Sequence, residues 1–225
     1  MKDIFLLDAD ETILDFARSE REAAARVFAR HGVSPAKEVL ARYHEINDSL
    51  WKALERGEIT RERLLVKRFE LLFDELGVKT DVAGVSAEYF SELSACGHLL
   101  DGAAEFLRAL SARGRIYIVT NGSAAVQKRR LRDTGADAFA DGVFISEEIG
   151  VYKPAREYAR YVEEHIPDYD RKRAVWIGDS LTSDMVCAES AGIDFILYAP
   201  HGATGSCAHP VARSYDQLLA FLAKM

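Results

Sequence analysis

Ile4-Phe5-Leu6-Leu7-Asp8-Ala9-Asp10-Glu11-Thr12 is a short apolar run that stops abruptly on acids. Its first four residues are apolar at every position rather than at alternate ones. That pattern suits a strand covered on both faces, as in a parallel sheet flanked by helices. Four further runs share it: Arg115–Val119, Val143–Ile145, Ala174–Ile177 and Phe195–Tyr198. Stretches of helical spacing separate them over 103–113, 123–134 and 182–191, followed by Gly114, Gly135 and Gly192, with Asp101 where the N-cap of the first belongs. Strand and helix in alternation predict an α/β fold, a doubly wound, Rossmann-like parallel sheet with right-handed crossovers.

The stretch between the first strand and residue 98 breaks that alternation. Residues 18–31, 36–56, 60–76 and 82–94 each read as helix, interrupted at Gly32-Val-Ser-Pro35, Arg56-Gly57-Glu58 and Gly77. Leu64, Leu65, Phe69, Leu72, Phe73 and Leu76 form one apolar stripe at helical spacing. The expected organisation is an α/β domain over 1–16 and 97–225, with a helical domain over 17–96 inserted after the first strand.

Composition sets outer bounds. A chain of 225 residues, 48% hydrophobic and 29% charged, can bury a substantial core without disulfide or metal staples. Its net charge of −7 repels phosphate backbones, so duplex nucleic acid is not an expected partner. Cys96, Cys187 and Cys207 are widely spaced and odd in number, fitting neither a disulfide framework nor a zinc site. The apolar run at Ile4–Leu7 is too short for a signal peptide, and no later stretch approaches a membrane span. A soluble cytoplasmic protein is expected, as a monomer or small homo-oligomer.

Polar clusters close four of the strand runs or follow them: Asp8-Ala-Asp10-Glu-Thr12, Thr120-Asn121-Gly122, Val-Tyr-Lys153-Pro, and Gly178-Asp179-Ser-Leu-Thr-Ser-Asp184. In an open parallel sheet these clusters share the carboxyl-end rim, where ligands bind. Several carboxylates on one rim repel one another unless a cation joins them. Hard oxygen donors without His or Cys suit Mg²⁺, with Mn²⁺ as a substitute. A lysine, a threonine hydroxyl and backbone N–H groups are donors for a phosphate.

Asp8-x-Asp10-x-Thr12, an apolar strand ending in Thr120, Lys153-Pro154, and Gly178-Asp179-x₄-Asp184 together resemble the haloacid dehalogenase-like (HAD) phosphohydrolases across essentially the whole chain. The helical insert resembles that superfamily's α-helical cap. Ile13-Leu14-Asp15-Phe16, Leu50-Trp51-x₅-Gly57-Glu58-Ile59-Thr60, Thr120-Asn121-Gly122 and Gly178–Asp184 resemble more narrowly its pyrimidine 5′-nucleotidase subgroup. Glu11 departs from the aspartate that relatives often carry there.

The resemblance implies an Mg²⁺-dependent phosphatase acting on a small phosphorylated substrate, a nucleoside 5′-monophosphate first, through an aspartyl-phosphate. Asp8 is the expected nucleophile and Asp10 the general acid/base. Asp8, Asp179 and the Asp10 backbone carbonyl are expected to hold the metal. Asp184 either joins them or orients Lys153. Thr120, Asn121 and Gly122 would hold phosphoryl oxygens, and Lys153 would neutralise developing charge. Phe16 and Trp51 are the candidates for contact with the nucleoside, the alternatives being a hinge of the cap for Phe16 and a place in the cap's buried core for Trp51. Lys128-Arg129-Arg130 reads as a solvated basic helix face. Alternatives are a phosphatase or mutase acting on phosphoglycolate or a phosphosugar, and a dehalogenase, whose chemistry needs neither Mg²⁺ nor an acid at Asp10. A receiver-type signalling module would lack the helical insert.

Overall fold

In the computed structural model, which describes residues 1–202 and 208–225, the elements run β1 (Ile4–Leu7), α1 (Phe16–Arg30), α2 (Lys37–Glu55), α3 (Arg61–Leu76), α4 (Val82–Ser94), α5 (Ala103–Ser111) and β2 (Arg115–Thr120). Then follow α6 (Ala124–Thr134), β3 (Gly142–Ile145), α7 (Ser146–Ile149), α8 (Arg156–His165) and β4 (Ala174–Gly178). The chain ends in α9 (Asp184–Ala191), β5 (Asp194–Tyr198), β6 (Val211–Ala212) and α10 (Tyr215–Leu222). It divides into two compact units, one of Met1–Asp15 with His98–Met225, the other of Phe16–Gly97.

The first unit is built on a six-stranded, wholly parallel sheet in the order β3-β2-β1-β4-β5-β6. The central strands β1 and β4 are buried at every position and β2 at all but its first, which explains their unbroken apolar runs. On β1, Phe5 and Leu7 join a layer with Phe106, Leu107 and Leu110 of α5, Leu131 of α6 and Leu218 and Leu222 of α10. Ile4 and Leu6 join the opposite layer, with Tyr158 and Val162 of α8 and Cys187, Ala188 and Ala191 of α9. This period-two division is what a pleated strand dictates.

Two features depart from the sequence reading. β6, α8 and α10 are additional elements. Asp101 does not cap α5: the cap is Gly102, at φ 84°, with no side-chain hydrogen bond. The chain needs a left-handed turn there, which glycine adopts without a Cβ penalty. Cys96 and Cys187 are buried and not joined in a disulfide; Cys207 lies outside the described residues.

The second unit is all-helical, α1 packing on α4 and α2 on α3. Its core is aromatic: Phe28, Tyr43, Phe69, Phe73 and Tyr89 are fully buried. Edge-on contacts such as Phe28–Tyr43 at 5.3 Å contribute about 0.5–1.5 kcal/mol each beyond area burial. A buried polar relay crosses the bundle. Asn47 donates to Glu20 at 2.7 Å, and Arg68 donates to Asn47 at 3.1 Å with its guanidinium 4.6 Å from the Tyr89 ring.

Candidate active site

Strand register brings the polar clusters together. Leu7 pairs with Ile118 on one side and Ile177 on the other. Asp8 therefore lies level with Val119 and Gly178, and Thr120 and Asp179 follow one residue further on. The order β3-β2-β1-β4-β5-β6 reverses direction at β1, so this rim is the switch point where such sheets bind ligands.

Lys153 is the centre of the cluster. Its ammonium, with the side chain only 2% exposed, donates to Asp8 Oδ1 at 2.5 Å, Asp184 Oδ1 at 2.7 Å and the Val119 carbonyl at 3.1 Å. An ammonium has three N–H groups, and each has an acceptor. Asn121 fixes the loop that carries it: its side chain donates to the Lys153 carbonyl at 2.9 Å and accepts from the Lys153 N–H at 2.8 Å. The Asn121 side chain thus braces Lys153, a role the sequence did not suggest.

Asp184 opens α9 and is buried. Besides Lys153 it accepts from the Trp176 indole at 3.1 Å and the Ser180 N–H at 3.3 Å. A Cβ on Gly178 would collide with the Asp184 carboxylate, so only glycine lets that acid fold back against the strand end.

Asp8, Asp179 and Asp184 present carboxylate oxygens within 4.8 Å of one another. Three negative charges against the Lys153 ammonium leave an excess of two, the charge of one divalent ion. Burial pushes Asp8 up to about 8; Lys153 opposes this, and the charges of Asp184 and Asp10 add to it. Asp179 is pushed up as well, by loss of water first and then by Asp8 and Asp184; its side chain still reaches solvent, which blunts the effect. Burial pulls Lys153 down, but Asp184 and Asp8 outweigh it and hold the ammonium well above the ordinary lysine range.

The Asp10 carboxylate is not part of that triad. Its Oδ1 accepts from Arg130 at 2.6 Å and its Oδ2 from Gln127 at 2.9 Å. Arg130 is 1% exposed, which corrects the reading of Lys128-Arg129-Arg130 as a solvated face. Lys128 and Arg129 do face solvent, paired with Glu148 and Asp133. Arg130 and Gln127 lie three residues apart on α6, hence on one helix face, and that face points into the site. Gln127 also donates to the Thr120 hydroxyl at 2.8 Å, and the Gly122 N–H reaches the same oxygen at 3.2 Å.

Phe16 and Trp51 belong to the helical unit, where Phe16 opens α1 and Trp51 lies on α2, both half-buried.

A carboxylate tethered to a buried lysine at the switch point of a doubly wound parallel sheet is the arrangement of a class of α/β hydrolase. The chain belongs to the haloacid dehalogenase-like hydrolases, whose family model matches residues 2–192. It is 38% identical over 189 residues to the HAD-hydrolase YfnB of Bacillus subtilis, covering 84% of this chain and 80% of YfnB. The pyrimidine 5′-nucleotidase PynA of Streptococcus pneumoniae is 34% identical over 197 residues, covering 87% of this chain and 83% of PynA. The pyrimidine 5′-nucleotidase YjjG of Escherichia coli is 31% identical over 191 residues, covering 85% of this chain and 83% of YjjG. A magnesium-bound crystal structure of YfnB superposes with a TM-score of 0.94 at 34% identity, covering 98% of each chain. The L-2-haloacid dehalogenase of Xanthobacter autotrophicus, at 16% identity and a TM-score of 0.76, shares the fold. Among the described residues, no helix is long and apolar enough to cross a membrane.

Proposed function

We propose that this protein is an Mg²⁺-dependent phosphatase of small phosphate monoesters, with pyrimidine nucleoside 5′-monophosphates as first substrates, working in the cytoplasm. The observation that carries the reading is the convergence of Asp8, Asp179, Asp184 and Lys153 on one strand-end cluster, with Asp8, Asp184 and Lys153 buried and Asp179 at the solvent edge. The nucleotidase names of PynA and YjjG support the substrate class.

The donor set fits a hard divalent cation: all-oxygen ligands with two uncompensated negative charges. Asp8 and Asp179 would hold it, with the Asp10 carbonyl as third protein ligand, while Asp184 positions Lys153. When bound, Mg²⁺ supplies the positive charge that lets phosphate approach and keeps Asp8 ionised.

Lys153 holds the Asp8 carboxylate through Oδ1, and an Asp8 carboxylate oxygen attacks phosphorus. The new bond joins Asp8 to phosphorus, and the bond from phosphorus to the ester oxygen breaks. Asp10 gives its proton to the departing alkoxide. It then takes a proton from water, whose oxygen attacks phosphorus and frees both Asp8 and inorganic phosphate. Thr120, the backbone of Asn121 and Gly122, and Lys153 would hold the phosphoryl oxygens as charge builds on them. The helical unit, Phe16–Gly97, would serve as the substrate cap, with Phe16 and Trp51 against the nucleoside. A panel of phosphate esters assayed with Mg²⁺, with Mn²⁺ and with EDTA tests this. Turnover of nucleoside monophosphates that disappears in EDTA is expected, and undiminished turnover without metal would refute it.

A further inference from the structure

We propose that Gln127 and Arg130 are positioning residues for the reaction, aiming two groups at once: the Asp10 carboxylate and the Thr120 hydroxyl proton. This deepens the phosphatase reading and rests on it.

The bonding pattern admits one arrangement. Arg130 Nη1 donates to Asp10 Oδ1 at 2.6 Å and to Gln127 Oε1 at 2.9 Å. Gln127 Nε2 donates to Asp10 Oδ2 at 2.9 Å and to Thr120 Oγ1 at 2.8 Å. Reversing the Gln127 amide would set its oxygen against a carboxylate and its nitrogen against a guanidinium, so the amide orientation is fixed by its neighbours. Both Asp10 oxygens are then gripped by donors from one helix face, which sets the rotation of the carboxylate about its Cβ–Cγ bond.

The consequence for Thr120 is less direct. A hydroxyl has one proton and two acceptor lone pairs. Gln127 Nε2–H and the Gly122 N–H both point at Thr120 Oγ1, at 2.8 and 3.2 Å. With its lone pairs occupied, the oxygen can engage an incoming group only by donating. Thr120 is thereby committed as a proton donor to an oxyanion before any phosphate arrives. Such preorganisation is what makes electrostatic stabilisation effective in a buried site. All three side chains, Thr120, Gln127 and Arg130, are almost completely buried, so water does not compete for these bonds.

Arg130→Met, Arg130→Lys, Gln127→Met and, as control, the exposed Arg129→Met test the proposal. Each is assayed with a nucleoside 5′-monophosphate and with an aryl phosphate, alongside melting curves and inorganic phosphate binding. Removing Arg130 misaims Asp10, so turnover of the alkyl ester should fall by about 10²-fold, the lower range for general acid/base help. The aryl ester, whose leaving group needs little protonation, should fall only a few-fold, and Arg130→Lys should recover part of the difference. Gln127→Met frees the Thr120 proton to rotate, so KM and the phosphate dissociation constant should rise, a change not expected for Arg130→Lys. Arg129→Met should behave as wild type. Equal losses on both esters that follow the melting temperature, with no recovery in Arg130→Lys and unchanged phosphate binding in Gln127→Met, would reduce both residues to structural supports and overturn the proposal. A wild-type protein that hydrolyses no phosphate ester would instead overturn the phosphatase reading, and this role with it.

Discussion

Replacing Lys153 with methionine removes the cation shared by Asp8 and Asp184 while keeping most of the side-chain volume. The lysine is buried, with its three N–H groups on Asp8, Asp184 and the Val119 carbonyl. Breaking a buried ion pair by deleting one partner costs about 3–5 kcal/mol, because the remaining charge is stranded. For a chain of this length each kcal/mol moves the melting temperature by roughly 2–4 °C, so a fall of about 6–20 °C is expected. The loss should depend on pH. Asp8, pushed up to about 8, holds its proton at pH 5, where the substitution strands Asp184 alone; at pH 8 a large fraction of Asp8 is ionised and both acids lose their partner. The penalty is therefore larger at pH 8 than at pH 5 in metal-free buffer. Phosphate release should fall by about 10²–10³ or more, since a preorganised cation is removed from the transferring group. Differential scanning calorimetry in EDTA at both pH values, paired with a phosphate-release assay in Mg²⁺, reads both effects. An unchanged melting temperature at pH 8 together with a near-normal rate would refute the reasoning.

Other outcomes follow from the same geometry. Folded Asp8 binds its proton up to about pH 8, whereas an ordinary aspartate releases it near 3.8. Between those values the folded state holds more protons than the unfolded one, so this group's stabilisation of the metal-free protein is lost as pH rises from about 4 to about 8. Saturating Mg²⁺ should raise the melting temperature at pH 8 and flatten that slope in thermal scans from pH 5 to 8. Gly178→Ala forces the Asp184 carboxylate out of its position against the strand end and should lower both the rate and the melting temperature, measured on the same sample. Asp10→Asn keeps the backbone carbonyl and should retain Mg²⁺ affinity in titrations. It should lose about 10²–10⁴ in turnover of an alkyl ester, less for an aryl one, and leave phosphorylated Asp8 detectable by mass spectrometry.

The sheet was legible because each core strand is buried on both faces and so carries no polar interruption. β6 was not: two residues, Val211 and Ala212, offer no periodicity to read. α8 did carry a signal, since Tyr158, Ala159 and Val162 are its buried face at helical spacing and Ala155 follows Pro154 at its start. Asp101 misled because an acid before an apolar helix resembles an N-cap, while the chain turned instead through Gly102 in a left-handed conformation. At the site, Asp8, Thr120, Lys153 and Asp179 each stand at or just beyond a strand terminus or in a recognisable short motif. Arg130 and Gln127 do not. They sit mid-helix among exposed cations, and only the three-residue spacing on α6, set against an Asp10 that needed a partner, could have singled them out. The Trp176–Asp184 bond was hidden because an indole within an apolar strand reads as core.

Everything proposed for the chemistry depends on Asp8 as the group that takes the phosphoryl. The most direct measurement is inorganic phosphate release from a pyrimidine nucleoside 5′-monophosphate in Mg²⁺ by wild type and by Asp8→Asn, with melting curves on both. An amide fills the carboxylate's volume and leaves Lys153 its bonds to Asp184 and Val119, so the variant should fold. The expected result is turnover by the wild type and none by Asp8→Asn, with an intact melting transition. An Asp8→Asn protein that releases phosphate at the wild-type rate would contradict it.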